Sequence, residues 1–185
     1  MKPILQKEAP VLRQHAKPVV LQDIGSPYVN AVLKDMREAL VKEADGVGLA
    51  APQIGVPLRM FIVSEIVFSS LRENRGKKNA DGMEVNNTKG TKQLVYINPE
   101  IVATSKDKKQ MEEGCLSVRP LFGKVRRASK VTLRAYDEHG NAFERGASGL
   151  LAQIFQHEVD HLDGVLFIDK AKDIREMPVP EQIQQ

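Results

Sequence analysis

Residues Phe155 to Gly164 read F-Q-H-E-V-D-H-L-D-G and contain H-E-x-x-H, written by His157, Glu158 and His161. On a helix, positions i and i+4 lie about 40° apart in rotation and about 6 Å apart along the axis. Two imidazoles at that spacing can grip one ion from one face. Glu158 is turned about 100° from His157, which suits it to a water on the ion rather than to the ion itself. This is the helical signature of a metal-dependent hydrolase. A catalytic centre also needs a third protein ligand and one open position. In the metzincin pattern a histidine follows at H-E-x-x-H-x-x-G-x-x-H. Here Gly164 is in place, but Phe167 stands where that histidine would be, and no histidine follows His161. Glu176 and Glu181 do follow, in a Pro-containing tail with no second helix evident to orient them. Upstream, the only cysteine, Cys115, sits in E-E-G-C-L-S-V. A thiolate with two imidazoles suits Fe²⁺, Zn²⁺, Co²⁺ or Ni²⁺. Taken alone, Cys115 reads equally well as a small buried hydrophobe.

The elements that must position these residues are legible in outline. A helix is expected from about Ser148 to Leu162, with Ser148 as its cap and Gly164 as its stop. An earlier helix starts at the Ser26 cap with Pro27 in its first turn. Val29, Val32, Leu33, Met36, Leu40 and Val41 draw its apolar face, and it should end near Ala44. G-V-G-L-A-A-P-Q-I-G, Gly46 to Gly55, reads as irregular chain. Strands are expected over Met60–Val63, Leu94–Asn98, Glu100–Ala103, Lys130–Tyr136 and Ala142–Arg145, the last two forming a hairpin around E-H-G-N. The polar stretch 69–93 reads as a surface insertion, and the tail from Asp169 as weakly structured. Short antiparallel or mixed strands around a central metal-binding helix describe a single α+β domain over residues 1–185.

Composition narrows the class. The chain has 185 residues, 42% hydrophobic and 28% charged, with a net charge of +3. That is an ordinary globular balance with a mild basic excess, which permits a nucleic-acid neighbour without requiring one. A lone cysteine forms no internal disulfide. No run reaches the roughly 18 apolar residues of a membrane helix, and the start lacks an apolar core of signal-peptide length. A soluble cytoplasmic protein is expected. G-x-G in Gly46–Gly48 is not a dinucleotide fingerprint, because Ala51 holds the third glycine position, and no P-loop follows.

Three separated motifs, G-V-G-L-A-A-P-Q at 46–53, E-G-C-L-S-V at 113–118 and Q-H-E-V-D-H-L-D-G at 156–164, together resemble the peptide deformylases. V-L-R-Q-H-A-K-P-V at 11–19 is similar to that family's N-terminal segment. The resemblance implies a metal-dependent hydrolase that removes the formyl group from the initiator methionine of newly synthesised proteins and releases formate. It implies that Cys115, His157 and His161 bind one divalent ion, usually Fe²⁺ in this family, with Zn²⁺, Ni²⁺ and Co²⁺ also suited. A metal-bound water would attack the formyl carbon with Glu158 as general acid/base. The Gln53 amide and the Leu116 N–H would stabilise the developing oxyanion. Val47, Gly48, Glu113, Leu150 and Ile154 are implied at the substrate, with the glycine-rich segment pairing to the peptide as an added strand. The implied partners are N-formylmethionyl nascent peptides, with a transient ribosome contact left open and no membrane or specific nucleic acid.

Two departures stand beside the resemblance. The family commonly reads C-L-S-[IV]-P, whereas Arg119 intervenes here before Pro120. Some bacterial members carry an arginine seven residues after the cysteine, and Phe122 occupies that position here. Peptide preference beyond methionine is therefore open. The basic run Lys124–Arg134 reads as a solvated strand face. Three rival readings remain: a zincin protease with a glutamate ligand from the tail, a protein that binds acylated chains without turnover, and an RNA-binding module.

Overall fold

The computed structural model describes residues 2–67 and 94–178. The expected insertion, 69–93, and the end of the tail, 179–185, lie outside the described residues. The rest forms an α+β domain in which the H-E-x-x-H helix lies at the centre.

Helix α1 spans Pro27–Val41, three residues short of the expected end. The Ser26 hydroxyl accepts the Val29 N–H at 3.3 Å, and Pro27 occupies the first turn. The cap satisfies a donor that has no helical partner, and proline gives up none that is needed. The three- and four-residue spacing of Val29, Val32, Leu33, Met36 and Leu40 becomes a buried stripe.

One sheet has the order β1-β2-β3-β6-β7, formed by Gly48–Ala50, Met60–Val63, Leu94–Thr104, Lys130–Tyr136 and Ala142–Ser148. Successive side chains point to opposite faces, and both faces are covered. Met60, Ile62, Val95 and Ile97 join the α1 stripe. Phe61, Val63, Tyr96, Leu133 and Ala135 pack on helix α2, Gly149–Leu162. Burial on both sides is why M-F-I-V is apolar throughout rather than alternating. The expected hairpin forms, with Lys130 opposite Ser148 and Tyr136 opposite Ala142. The two strands expected around Pro99 are one strand, irregular where the register shifts between Ile97 and Glu100.

Three elements depart from expectation. The segment 46–55 is not wholly irregular: Gly48–Ala50 pairs with β2, and a 3-10 turn follows over Ala51–Ile54. A second sheet, ordered β4-β5-β8, is built from Lys108–Gly114, Leu121–Ala128 and Lys172–Glu176. Strand β8 therefore falls within the tail expected to be weakly structured. K-D-I-R-E carries no buried residue, so the free edge of β5 and not the composition of the tail makes it a strand. All named strand pairs are antiparallel, and the one parallel contact among the described residues is an isolated bridge between Lys17 and Leu58. No helix among the described residues is long and apolar enough to cross a membrane.

An aromatic cluster joins α2 to the large sheet. Phe61 stacks on Tyr96 with centroids 4.7 Å apart, and the Phe155 ring meets Tyr96 edge-on at 5.0 Å. Offset and edge-on arrangements are the favourable ones for aromatic quadrupoles. Phe155 is fully buried two residues before His157. Phe155→Ala is expected to cost about 3–5 kcal/mol of stability, read as a lower urea midpoint with an unchanged slope.

Candidate active site

Cys115 leaves the end of β4, and His157 and His161 project from α2. Their ligand atoms lie within 4.8 Å of one another. Cys115 Sγ is 3.1 Å from His161 Nε2, and the two imidazole centroids are 4.9 Å apart, nearly edge-on. Two glutamines on α2 hold the small sheet where this is achieved. Gln156 accepts the Ala128 N–H and donates to the Ala128 carbonyl, at 2.9 and 3.0 Å. Gln153 donates to the Glu112 carbonyl at 2.7 Å. The edge of the small sheet is thus registered against the helix, three residues before Cys115.

Behind His157 lies a chain of buried charge. Glu113 Oε2 accepts from His157 Nδ1 at 3.0 Å, and its carboxylate takes Arg127 Nε and Nη2 at 2.7 and 2.9 Å. Arg127 Nη1 reaches Asp160 Oδ2 at 2.6 Å, and Lys170 reaches the other Asp160 oxygen at 2.7 Å. The Arg127 and Glu113 side chains are 4% and 2% exposed. Burial opposes the Glu113 charge, but hydrogen bonds from Arg127 and His157 outweigh it and bring its pKa down to about 2. With Nδ1 bound to a carboxylate, His157 keeps Nε2 as its free donor, and ring orientation and tautomer are set together. His157 is pushed well above the usual imidazole value, against its burial, by the Cys115 sulfur and then Glu113. His161 is driven well below it by burial and then by the charge of His157. Its Nδ1 has no hydrogen-bond partner among the described residues.

Glu158 is 4% exposed, and its Oε2 likewise has no partner among the described residues. Burial pushes its pKa up to about 7; the His157 charge opposes this and the Glu113 charge adds to it. Gly48 of β1 lies directly against this carboxylate: a Cβ there would sit 2.6 Å from Glu158 Oε1. Gln53, 2% exposed, accepts the Ala50 N–H on its Oε1 at 2.8 Å. That bond turns its amide nitrogen toward the site, 3.1 Å from Ser117 Oγ and 3.6 Å from Cys115 Sγ. Leu116 belongs to the turn closed by the Val118 N–H on the Cys115 carbonyl. Its own carbonyl accepts from Gln6 at 3.1 Å, and the Ser117 N–H, on the other side of the same peptide plane, lies 3.4 Å from Cys115 Sγ.

Cys115, His157, His161, Glu158, Gln53, Leu116 and Gly48 are thus brought together. Ile154 is buried beside Gly48, whereas Val47 and Leu150 are 37% and 45% exposed. Glu113, implied at the substrate, is instead behind His157 with both oxygens engaged. Arg127 departs from the solvated face expected of Lys124–Arg134: Lys124, Arg126, Lys130 and Arg134 are exposed, and Arg127 is buried. The signal lay in the alternation. Gly123, Val125 and Arg127 share the inward face of β5, and an inward arginine needs a carboxylate. Of the glutamates considered for a zincin, Glu176 lies on exposed β8, outside the ligand cluster, and Glu181 is outside the described residues.

The polypeptide deformylase family model matches residues 1–177. The chain belongs to that family. A peptide deformylase from Acidobacterium capsulatum is 40% identical over 168 residues, covering 91% of this chain and 85% of the relative. Among solved structures, a peptide deformylase from Legionella pneumophila superposes with a TM-score of 0.74 at 37% identity, covering 94% of this chain and 87% of its own. A class I type b peptide deformylase from Acinetobacter baumannii, solved with Met-Ala-Ser bound, gives a TM-score of 0.74 at 32% identity, covering 92% and 98%. The chain is therefore an enzyme of the deformylase family, and the α+β architecture is the one its relatives share.

The buried network supplies a test of its own. Arg127→Ala removes the guanidinium from the buried Glu113 carboxylate and leaves it the His157 contact alone. It is expected to destabilise this deformylase-family fold by about 3–5 kcal/mol in urea unfolding. It should also weaken the affinity of the Cys115–His157–His161 set for Co²⁺ or Ni²⁺ about tenfold or more, measured by chelator competition.

Proposed function

We propose that this chain removes the N-formyl group from the initiator methionine of newly synthesised proteins and releases formate. The observation that carries the reading is the buried carboxylate of Glu158, its Oε2 without a hydrogen-bond partner among the described residues, set between a Cys-His-His donor cluster and the edge strand β1. The names of the relatives and the Met-Ala-Ser bound to the Acinetobacter baumannii enzyme support it.

The donor set fits a divalent ion. Its sulfur and two nitrogens lie within 4.8 Å of one another, and Glu113 already fixes His157 with Nε2 as the free donor. Cys115, His157 and His161 would hold the ion, proposed to be Fe²⁺, with Zn²⁺, Ni²⁺ and Co²⁺ suited by the same donors. When bound, such an ion supplies Lewis acidity and makes a water far more acidic than in bulk. Glu158 takes the proton of the attacking water as its oxygen joins the formyl carbon. Charge then grows on the formyl oxygen, where the Gln53 amide and the Leu116 N–H donate to it. Because Gln53 Oε1 is anchored on Ala50 N–H, its donor is aimed before substrate arrives. The carbon–nitrogen bond breaks, Glu158 passes its proton to the methionine nitrogen, and formate departs.

Among the described residues, strand β1 is paired with β2 on one side only. Its other edge can accept an extended peptide as an added strand. Gly48 admits that close approach, while Ile154 and the exposed Val47 and Leu150 offer apolar surface for the methionine side chain. A cytoplasmic location and a transient ribosome contact belong to the same reading, since the substrate is a nascent chain.

The test is formate release from an N-formyl-Met peptide by enzyme loaded anaerobically with Fe²⁺ or Ni²⁺. Glu158→Ala is expected to lower kcat about 10³-fold while the metal stays bound. Wild-type enzyme that binds metal through Cys115 yet releases no formate would overturn the reading. Gly48→Ala is expected to lower kcat/KM about 100-fold with little change in thermal midpoint, because its methyl group displaces Glu158 or the strand edge.

A further inference from the structure

Arg119 stands where this chain departs from the family's motif, directly after Val118, which is fully buried. Its side chain is only 19% exposed. Nη1 lies 2.7 Å from Glu43 Oε2, an ion pair without hydrogen-bond alignment, and Nη2 lies 2.5 Å from Asp45 Oδ1. Both carboxylates belong to the loop between α1 and β1. The guanidinium fork can serve two separate acceptors at once, which a lysine ammonium does less well. Two carboxylates so close together are themselves held by this one cation.

The two segments that Arg119 joins are the walls of the proposed peptide groove. One carries Cys115, Leu116 and Ser117; the other runs through Asp45 and Gly46 into Val47 and Gly48. The walls differ in how they are secured. The first continues from the β4–β5 ladder, which is paired in full from Lys108 to Gly114. It is also backed by Phe122, whose ring lies so close to Gly114 that a Cβ there would be 2.4 Å from it. The second enters a strand of three residues at the edge of its sheet. Its loop has local backbone bonds, Glu43 N–H to the Leu40 carbonyl and Gly46 N–H to the Glu43 carbonyl, and is tied to the end of β2 only at Val47, whose carbonyl accepts the Ser64 N–H at 2.8 Å. Loss of Arg119 would therefore loosen the second wall ahead of Val47 more than the first.

We propose that Arg119 is a positioning residue that sets the separation of the two walls, and through it the affinity for peptide beyond the methionine. The proposal rests on the deformylase reading of the site. Arg119 touches no reacting atom in it. The chemical step is carried by Glu158 and Gln53, neither of which Arg119 contacts.

Steady-state kinetics on N-formyl-Met-Ala-Ser and on N-formyl-Met alone test it, with calorimetric binding of Met-Ala-Ser beside them. Arg119→Ala is expected to raise KM for the longer substrate about tenfold with kcat within about twofold, and to leave the shorter substrate nearly unchanged. Met-Ala-Ser should bind about tenfold more weakly. Adding Asp45→Asn should cost little more, because both substitutions break one contact. Arg119→Gln serves the same comparison if the alanine variant does not fold. Equal losses on both substrates, or an unchanged KM for the longer one, would overturn the brace while leaving the deformylase reading intact. Wild-type enzyme inactive on both substrates would overturn that reading and the brace with it.

Discussion

Glu113 carries its charge almost out of reach of water, and much of the molecule is arranged around that fact. A buried carboxylate is costly unless it is paired and hydrogen-bonded. Here Arg127 supplies the pairing, Asp160 balances Arg127, and Lys170 closes the chain at the surface. Each link ties a different element: β4, β5, α2 and the segment leading to β8. Arg127 takes both Glu113 oxygens, and the partner that shares Oε2 with it is His157 itself. The same carboxylate therefore binds the small sheet to the helix and selects which imidazole nitrogen faces the site. Stability and chemistry share an atom pair, so neither can be altered there without the other.

This coupling explains what was legible in the sequence. His157, Glu158 and His161 lie within five residues on one helix, so their relation is a matter of local geometry. The α1 stripe and the β6–β7 hairpin are local in the same way. Cys115 is different. Its place depends on Gln153 and Gln156 docking α2 against backbone groups of β4 and β5, and such contacts leave no trace in spacing. Only the resemblance of three separated motifs linked it to the histidines. Glu113 and Arg127 were misplaced for a related reason. A glutamate beside a ligand suggests substrate, and a basic run suggests solvent, until the pleat shows that one arginine of the pair Arg126-Arg127 must turn inward. Strand β8 was invisible because its pairing is dictated by a neighbour rather than by its own composition.

Glycine has two structural tasks near the site that its lack of a side chain makes possible. Gly48 lets the backbone of β1 come against Glu158, so that the proposed base and the strand edge occupy one small volume. Gly164 ends α2 in the left-handed region, at φ 75°, and a Cβ there would meet the Arg13 backbone at 2.8 Å. The first would permit the proposed approach by substrate, and the second lets the N-terminal segment pass beneath the helix. From there the chain continues past Leu5 and Gln6, whose bonds to the Gln53 and Leu116 carbonyls brace both proposed oxyanion donors from outside.

If peptide adds as proposed to the edge of β1, unpaired among the described residues, that edge also bears on timing. An edge of three residues can be recognised only by a chain that presents its backbone fully extended, with its amides unpaired. A terminus already folded into its own domain has spent those amides elsewhere. Access to Glu158 is then a competition between two fates of the same backbone, strand addition here or secondary structure within the newborn domain. Under the proposed reading the geometry would favour whichever comes first, and so would restrict the enzyme to the interval before the terminus is packed away.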